Sequence, residues 1–172
     1  MDIKAVEQFE SAYEKFSDSI YRYLFFKIRN KEQAVDLTQE TFVKTWMYLA
    51  EGKEIQNIRA FLFRVAHNVL VNTVRSAHRL VSLEASMESG WEPGTDEDIT
   101  KEAITKEECK EVVDKLFEID EKYRDVLVLR YTEGLSVQEI AEVLGERENT
   151  VSVRIHRGIQ QLRKLYVSEG KK

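Results

Sequence analysis

A chain of 172 residues, 42% hydrophobic, is long enough for one domain or two small ones and apolar enough for a folded core. A single cysteine excludes an internal disulfide or a zinc site built from cysteines, and no apolar run approaches the length that crosses a membrane. The formal net charge of −5 argues against a uniformly basic nucleic-acid binder, so the distribution of charge matters more than the total.

That distribution is uneven. Residues 1–80 carry 12 basic and 10 acidic side chains, residues 81–108 carry 2 and 9, and residues 109–172 carry 12 of each. Two stretches are locally basic: 58–79 has four arginines and no acid, and 147–172 has seven basic and two acidic residues. All three histidines (His67, His78, His156) fall inside these stretches. One proline and seven glycines favour helices over a turn-rich sheet protein. The first residues, MDIKAVEQFE, are of mixed charge and do not read as a signal peptide, and a reducing, cytoplasmic setting is expected.

In chain order, Phe9, Tyr13, Phe16, Ile20, Tyr23 (with Leu24) and Ile28 step by three and four, which predicts a long helix over 9–29 with these residues in the core. Asn30 is placed to cap a second helix over 31–50, with Gln33 three residues on. There Asp36, Gln39, Glu40 and Val43 share a face, which the pattern alone reads as solvated. Ala34, Leu37, Phe42, Trp46 and Leu49 supply buried contacts. A polar loop, EGKEIQ, leads to Asn57, the expected cap of a third helix over 58–79. Its inner face is Ile58, Phe61, Leu62, Val65, Ala66, Val69 and Val74. Its other face carries a stripe of Arg64, Asn68, Asn72, Arg75 and Arg79, flanked by Phe63 and His67. Arginine and asparagine beside an aromatic suit contact with opened DNA; the alternative is a solvated basic face that pairs with acids elsewhere.

Residues 81–107 contain Gly90, Pro93 and Gly94 followed by TDEDITKEA, the most linker-like composition in the chain. Beyond it, Val112, Val113, Leu116 and Phe117 predict one amphipathic helix. Tyr123, Val126, Leu127, Leu129 and Tyr131 predict the packing face of another, capped by Asp120 and ended by Gly134. Then comes GLSVQEIAEVLGERENTVSVRIHRGIQQLRKL. Ser136 and Glu139 form a capping box, Gly145 suits the left-handed residue that ends a helix, and Val151, Ile155, Ile159 and Leu162 line one side of the next helix. Its other side presents Thr150, Ser152, Val153, Arg154, His156 and Arg157. A helix–turn–helix with donors and cations on its second helix fits a DNA major groove; the alternative is an ordinary helical hairpin.

Two of these segments resemble bacterial sigma factors of the extracytoplasmic-function group. DLTQETFVKTW followed by NIRAFLFRVAHNVLVNTVRSAHR is similar to the family's second region. EKYRDVLVLRYTEGLSVQEIAEVLGERENTVSVRIHRGIQQLRKL is similar to the fourth. The resemblance implies an all-α chain of two small helical domains, a region 2 bundle over 1–80 and a region 4 helix–turn–helix over 108–168, joined by a flexible acidic linker over 81–107. It implies an alternative sigma factor that binds core RNA polymerase and directs it to promoters. By position, Asp36, Gln39, Glu40, Phe42 and Trp46 would bind the polymerase clamp, reversing the solvated reading of that face. Phe63, Arg64, His67, Asn68, Asn72 and Arg75 would take the downstream promoter element as it melts, with a flipped base between the 51–57 loop and the third helix. Thr150, Ser152, Val153, Arg154, His156 and Arg157 would meet the upstream element as duplex, with Val153, His156 and Arg157 at bases and Ser152 and Arg154 at phosphates. An anti-sigma factor is a further implied partner, and the acidic linker either threads polymerase channels or is a plain tether.

The sequence departs from the family pattern in three places. Ile119-Asp120 replaces a common leucine–proline, Glu146-Arg147 stands where a hydrophobic residue and a serine cap are usual, and Ser152-Val153 stands where a basic residue and a serine are frequent. The competing reading is an ordinary dimeric helix–turn–helix regulator on a palindrome, whereas the sigma reading expects a monomer. An enzyme is not expected: no catalytic, cofactor-binding or metal-ligand constellation assembles, no glycine-rich phosphate loop is present, and no cofactor is implied.

Overall fold

The structure, a computed structural model, describes residues 3–83 and 107–169, with side chains over 3–76 and 112–167. Of the linker expected over 81–107, residues 84–106 therefore lie outside the described residues, as do the side chains of Arg79 and Cys109, while 81–83 and 107 belong to helices. Every regular element described is a helix. The chain divides into two compact units, residues 1–95 and 96–172.

The first unit packs three helices: α1 (Ile3–Ile28), α2 (Lys31–Ala50) and α3 (Ile58–Leu83). Two loops set their directions. Arg29 adopts a left-handed φ of 55°, where glycine or asparagine is usual, at a cost of roughly 1–2 kcal/mol. Its N–H donates to Phe25 O at 2.7 Å, closing α1. Asn30 Oδ1 then accepts the Gln33 N–H at 3.0 Å and starts α2, as the sequence predicts. Asn57 Oδ1 likewise accepts the Ala60 N–H at 3.0 Å at the head of α3.

The core holds Ile20, Tyr23, Leu24 and Ile28 of α1, Ala34, Leu37, Phe42 and Leu49 of α2, and Leu62, Phe63, Ala66 and Val69 of α3. Two threonines, Thr41 and Thr45, are fully buried in α2. Each hydroxyl donates one turn back, to Leu37 O at 2.7 Å and Thr41 O at 2.8 Å, so neither polar atom lacks a partner in the apolar interior. Four residues expected to pack inward are exposed: Tyr13 on α1 and Val74 on α3 in this unit, and Val112 and Tyr131 in the other. Tyr13 still lays its ring against Phe42, with centroids 4.9 Å apart. The periodicity finds the right face for Tyr13 but cannot show that its ring lies at the rim.

The second unit comprises α4 (Glu107–Glu118), α5 (Glu121–Leu127), a π-helical turn (Val128–Thr132), α6 (Val137–Leu144) and α7 (Glu148–Glu169). The sequence predicts one uninterrupted helix where α5 widens into the π turn. Four consecutive apolar residues, Val126 to Leu129, are all buried, which a regular 3.6-residue repeat cannot direct to one side. The Glu133 N–H reaches Val128 O at 3.1 Å, closing the wider turn. Asp120 is a second departure: its carboxylate makes no capping bond and stands 3.9 Å from Lys122 Nζ. Its backbone carbonyl instead accepts from Tyr123 and Arg124 at 2.9 and 3.0 Å.

The capping box at α6 is present in both directions, with Glu139 N–H to Ser136 Oγ at 3.1 Å and Ser136 N–H to Glu139 Oε2 at 2.8 Å. Gly145 takes a left-handed φ of 65° and ends α6. Gly158, in mid-α7, is where that helix meets α5: a Cβ there would lie 2.9 Å from Leu127 Cδ1 and 3.3 Å from Tyr123 Cβ.

Candidate nucleic-acid and protein interfaces

The outward face of α2 is built from Asp36, Gln39 and Glu40, all exposed, and continues along the same ridge to Val43 and Met47. Val43 is 55% and Met47 58% exposed, so an acidic and amide patch runs into an apolar one on a single helix face. Lys44 Nζ lies 2.8 Å from Glu40 Oε1, one turn away. Phe42 and Trp46, which the pattern assigns to buried contacts and the family resemblance groups with this face, turn toward α1. Phe42 is buried edge-on to Phe9 with centroids 6.2 Å apart, and the half-buried Trp46 meets Phe9 at 5.2 Å. They fix the ridge from behind. Met47 escaped the sequence reading, although it lies one turn beyond Val43.

On α3, Arg64, Asn68, Asn72 and Arg75 are exposed along one stripe, as expected from their spacing. Phe63 is not part of that surface. It is 1% exposed, with its ring edge-on to Tyr23 at 5.6 Å. The stripe's steps of three and four carry it past Phe63, which stands next to Arg64 in sequence but about 100° round the helix, among the core residues. His67 is half-buried, its Nδ1 3.1 Å from Tyr23 Oη.

The aromatic beside the stripe is Phe61, which the periodicity assigns to the inner face of α3. Its half-buried ring lies 4.7 Å from that of Tyr48, and the Arg64 guanidinium sits 5.2 Å above it. The Lys53 ammonium lies 4.9 Å over Tyr48. Cations and rings thus alternate from the 51–57 loop onto α3. Lys53 also pairs with Glu51, and that hydrogen bond, with the carboxylate's charge, raises the lysine's pKa above its ordinary value. The loop is anchored below by buried Ile55, whose carbonyl accepts from Gln8 Nε2 at 3.0 Å.

On α7, Val151 is fully buried, and Ser152, Val153, His156 and Arg157 are exposed. Thr150 and Arg154 are half-buried. A groove gathers Thr150, Val153, Arg154 and Arg157 with Asn149, Tyr123 and Lys122; Ser152 and His156 are not among its lining residues. Lys122, from the first turn of α5, adds a third cation that the sequence reading did not include. It stands beside α7, which packs closely on α5 at Gly158. His156 Nε2 lies 3.0 Å from Gln160 Nε2, one turn on. Arg147 occupies the cap position of α7 with a backbone carbonyl alone, 3.1 Å from the Val151 N–H. Glu146 Oε1 instead holds Arg154 Nη2 at 2.7 Å across the turn.

Among the described residues no group of three or more His, Cys, Asp or Glu could hold a metal ion, and no helix is long and apolar enough to cross a membrane.

A family model described as Sigma-70 region 2 matches residues 12–80, and one described as Sigma-70, region 4 matches residues 111–162. The extracytoplasmic-function RNA polymerase sigma factor SigL of Mycobacterium tuberculosis is 30% identical over 158 residues, spanning 88% of this chain and 84% of its own. RNA polymerase sigma factor YlaC of Bacillus subtilis is 29% identical over 162 residues, 94% of each chain. Two solved structures share the fold. Sigma factor RpoE of Bartonella quintana, in complex with the anti-sigma factor NepR, has a TM-score of 0.71 at 18% identity and covers 93% of this chain and 97% of its own. CnrH, in complex with the cytosolic domain of CnrY, has a TM-score of 0.65 at 24% identity over 93% and 88%.

Proposed function

Since the chain belongs to the sigma-70 family, in its extracytoplasmic-function group of RNA polymerase sigma factors, we propose that its two units divide the work of promoter recognition between strand opening and duplex reading. The chain is an alternative sigma factor that directs transcription initiation with RNA polymerase; the comparisons lend nothing to an ordinary dimeric regulator. Sigma factors are regulatory subunits rather than enzymes, and this chain acts through binding, with no cofactor.

Residues 1–80 form the polymerase-binding and strand-capturing domain. Asp36, Gln39 and Glu40 contact core polymerase together with Val43 and Met47, while Phe42 and Trp46 hold the ridge rigid against α1. Arg64, Asn68, Asn72 and Arg75 receive the melted downstream element. Phe61 and Tyr48 offer ring faces for an unstacked base, and Phe63 and His67 support the stripe from within. Each stacked base contributes roughly 1–3 kcal/mol, which helps offset the cost of unpairing.

Residues 108–168 form the duplex-reading domain. Val153, His156 and Arg157 contact bases; Thr150, Ser152, Arg154 and Lys122 lie toward phosphates. The observation that carries this division is the pair of separate exposed cationic surfaces, on α3 and α7, on two units that each have their own core. A net charge of −5 supports weak DNA binding by the free chain and tight binding only within the holoenzyme.

The chain works as a monomer in the cytoplasm, without membrane insertion. Because RpoE and CnrH are each found with a partner named in their structures, an anti-sigma factor is proposed here too. The test is run-off transcription with purified core polymerase on genomic fragments. A chain-dependent set of transcripts is expected, and none from any fragment overturns the reading.

A further inference from the structure

We propose that Val153 is a specificity-determining residue that reads the 5-methyl group of a thymine in the upstream element. The inference rests on α7 entering the major groove.

Valine is an unusual side chain for this surface. Val153 is 48% exposed, while Val151, two residues earlier, is fully buried and serves the core. The apolar cluster under α7 is built from Ile119, Tyr123 and Leu127, with Ile155, Ile159 and Leu162 packed on it, and does not include Val153. Its isopropyl group instead lines the groove between Thr150 and Arg157, beside Tyr123 and among the polar or cationic Lys122, Asn149 and Arg154. About half of this side chain therefore stays in solvent, on the face of α7 away from the cluster's centre.

DNA chemistry supplies a role for an apolar side chain there. In the major groove, guanine, adenine and cytosine edges present donors and acceptors, and the thymine C5-methyl is the apolar group. A valine against guanine O6 or N7, or against the cytosine amino group, would strip water from a polar edge and return nothing. Against a thymine methyl both partners leave water at no polar cost. The side chain thus selects for one base by favouring it and penalising the others.

The position of that thymine follows from α7. Val153 and Arg157 are one turn apart on the same face, about 6 Å along the axis. Stacked base pairs are about 3.4 Å apart. Arginine most often takes guanine bidentately. The thymine, on either strand, then lies within about two base pairs of the pair that Arg157 contacts.

The test uses reconstituted holoenzyme on a promoter fragment that it transcribes. Each thymine of the upstream element is replaced singly by deoxyuridine, which removes only the methyl. One replacement is expected to weaken wild-type open-complex formation about fourfold, the value of one buried methyl-sized group. The same replacement leaves Val153→Ser and Val153→Ala holoenzyme unchanged. No sensitive position in the wild type overturns the proposal. So does a promoter without thymine in the element, or equal sensitivity in wild type and variants, which assigns the methyl to another residue. If scrambling the whole upstream element leaves wild-type transcription unchanged, the duplex-reading assignment of α7 fails as well, and the two failures are told apart. Because Val153 is exposed and outside the apolar cluster, both variants should melt with the wild type.

Discussion

Arg154 Nη2 donates to Glu146 Oε1 at 2.7 Å across the turn that precedes α7, and both side chains are about one-third exposed or less. The pair stands where a side-chain cap is missing, since Arg147 supplies only its carbonyl to the helix. It ties the turn to the second turn of α7. It also neutralises the cation that the proposed function assigns to a phosphate. Glu146→Gln is therefore expected to change DNA binding more than stability. An ion pair this exposed contributes on the order of 1 kcal/mol or less. Freed from its acid, Arg154 should release about one more counterion, steepening the plot of log affinity against log salt by about one. Holoenzyme binding to a promoter duplex across a salt series measures it; an unchanged slope would mean Arg154 stays with its acid or meets no phosphate.

Gly158 governs how close α7 comes to α5. A Cβ there meets Leu127 Cδ1 at 2.9 Å and Tyr123 Cβ at 3.3 Å. The leucine tip can move aside, but the tyrosine Cβ sits on its backbone. Alanine also gains helix propensity of roughly 1 kcal/mol over glycine, so Gly158→Ala should be nearly neutral. Gly158→Val brings two more methyl groups into a packed interface and should cost about 1–3 kcal/mol. Thermal melts of the full chain distinguish them: an unperturbed valine variant would show that the helices separate freely.

Phe63 and Asn68 separate core from site. Phe63 is 1% exposed against Tyr23, so Phe63→Ala should destabilise the first unit by about 3–5 kcal/mol. Asn68 is exposed on the stripe, so Asn68→Ala should leave the melt within about 0.5 kcal/mol while reducing open-complex formation. Permanganate footprinting of the downstream element reads the second effect. Intact opening by Asn68→Ala would move the strand contact off this face.

Those two residues show what the sequence can and cannot carry. Period and caps are local properties, so Asn30, Asn57, Ser136 and Gly145 act where the sequence predicts them. The polar stripes on α2, α3 and α7 follow from spacing for the same reason. What a stripe's neighbour touches depends on residues distant in sequence. Phe63 is turned inward by Tyr23, Phe42 by Phe9, and Arg154 is held by Glu146. Lys122 joins the α7 groove because α5 packs on that helix, an approach that is close at Gly158. The π turn after Leu127 is also a packing outcome, set by four adjacent apolar residues that must all be buried. Asp120 has the composition of a cap, yet its carboxylate sits toward Lys122 and makes no capping bond.

The ridge on α2 offers the sharpest test of polymerase binding, because its apolar members lie outside the buried core. Val43 and Met47 are more than half exposed, one turn apart, and adjoin Asp36, Gln39 and Glu40. Exposed apolar side chains beside polar ones are the usual composition of a protein interface, where aliphatic groups supply affinity and charges set register. Burying one such side chain on binding contributes about 1.5–3 kcal/mol, so Val43→Asp or Met47→Asp should weaken association with core polymerase by at least about tenfold. Neither substitution touches the core, and both variants should keep the wild-type melting temperature. Glu40→Gln, which removes a charge already countered by Lys44 at 2.8 Å, should have the smaller effect and a stronger dependence on salt. Fluorescence anisotropy of labelled chain titrated with core enzyme ranks the three. If both aspartate variants bind like the wild type, the polymerase contact lies on another face of the first unit.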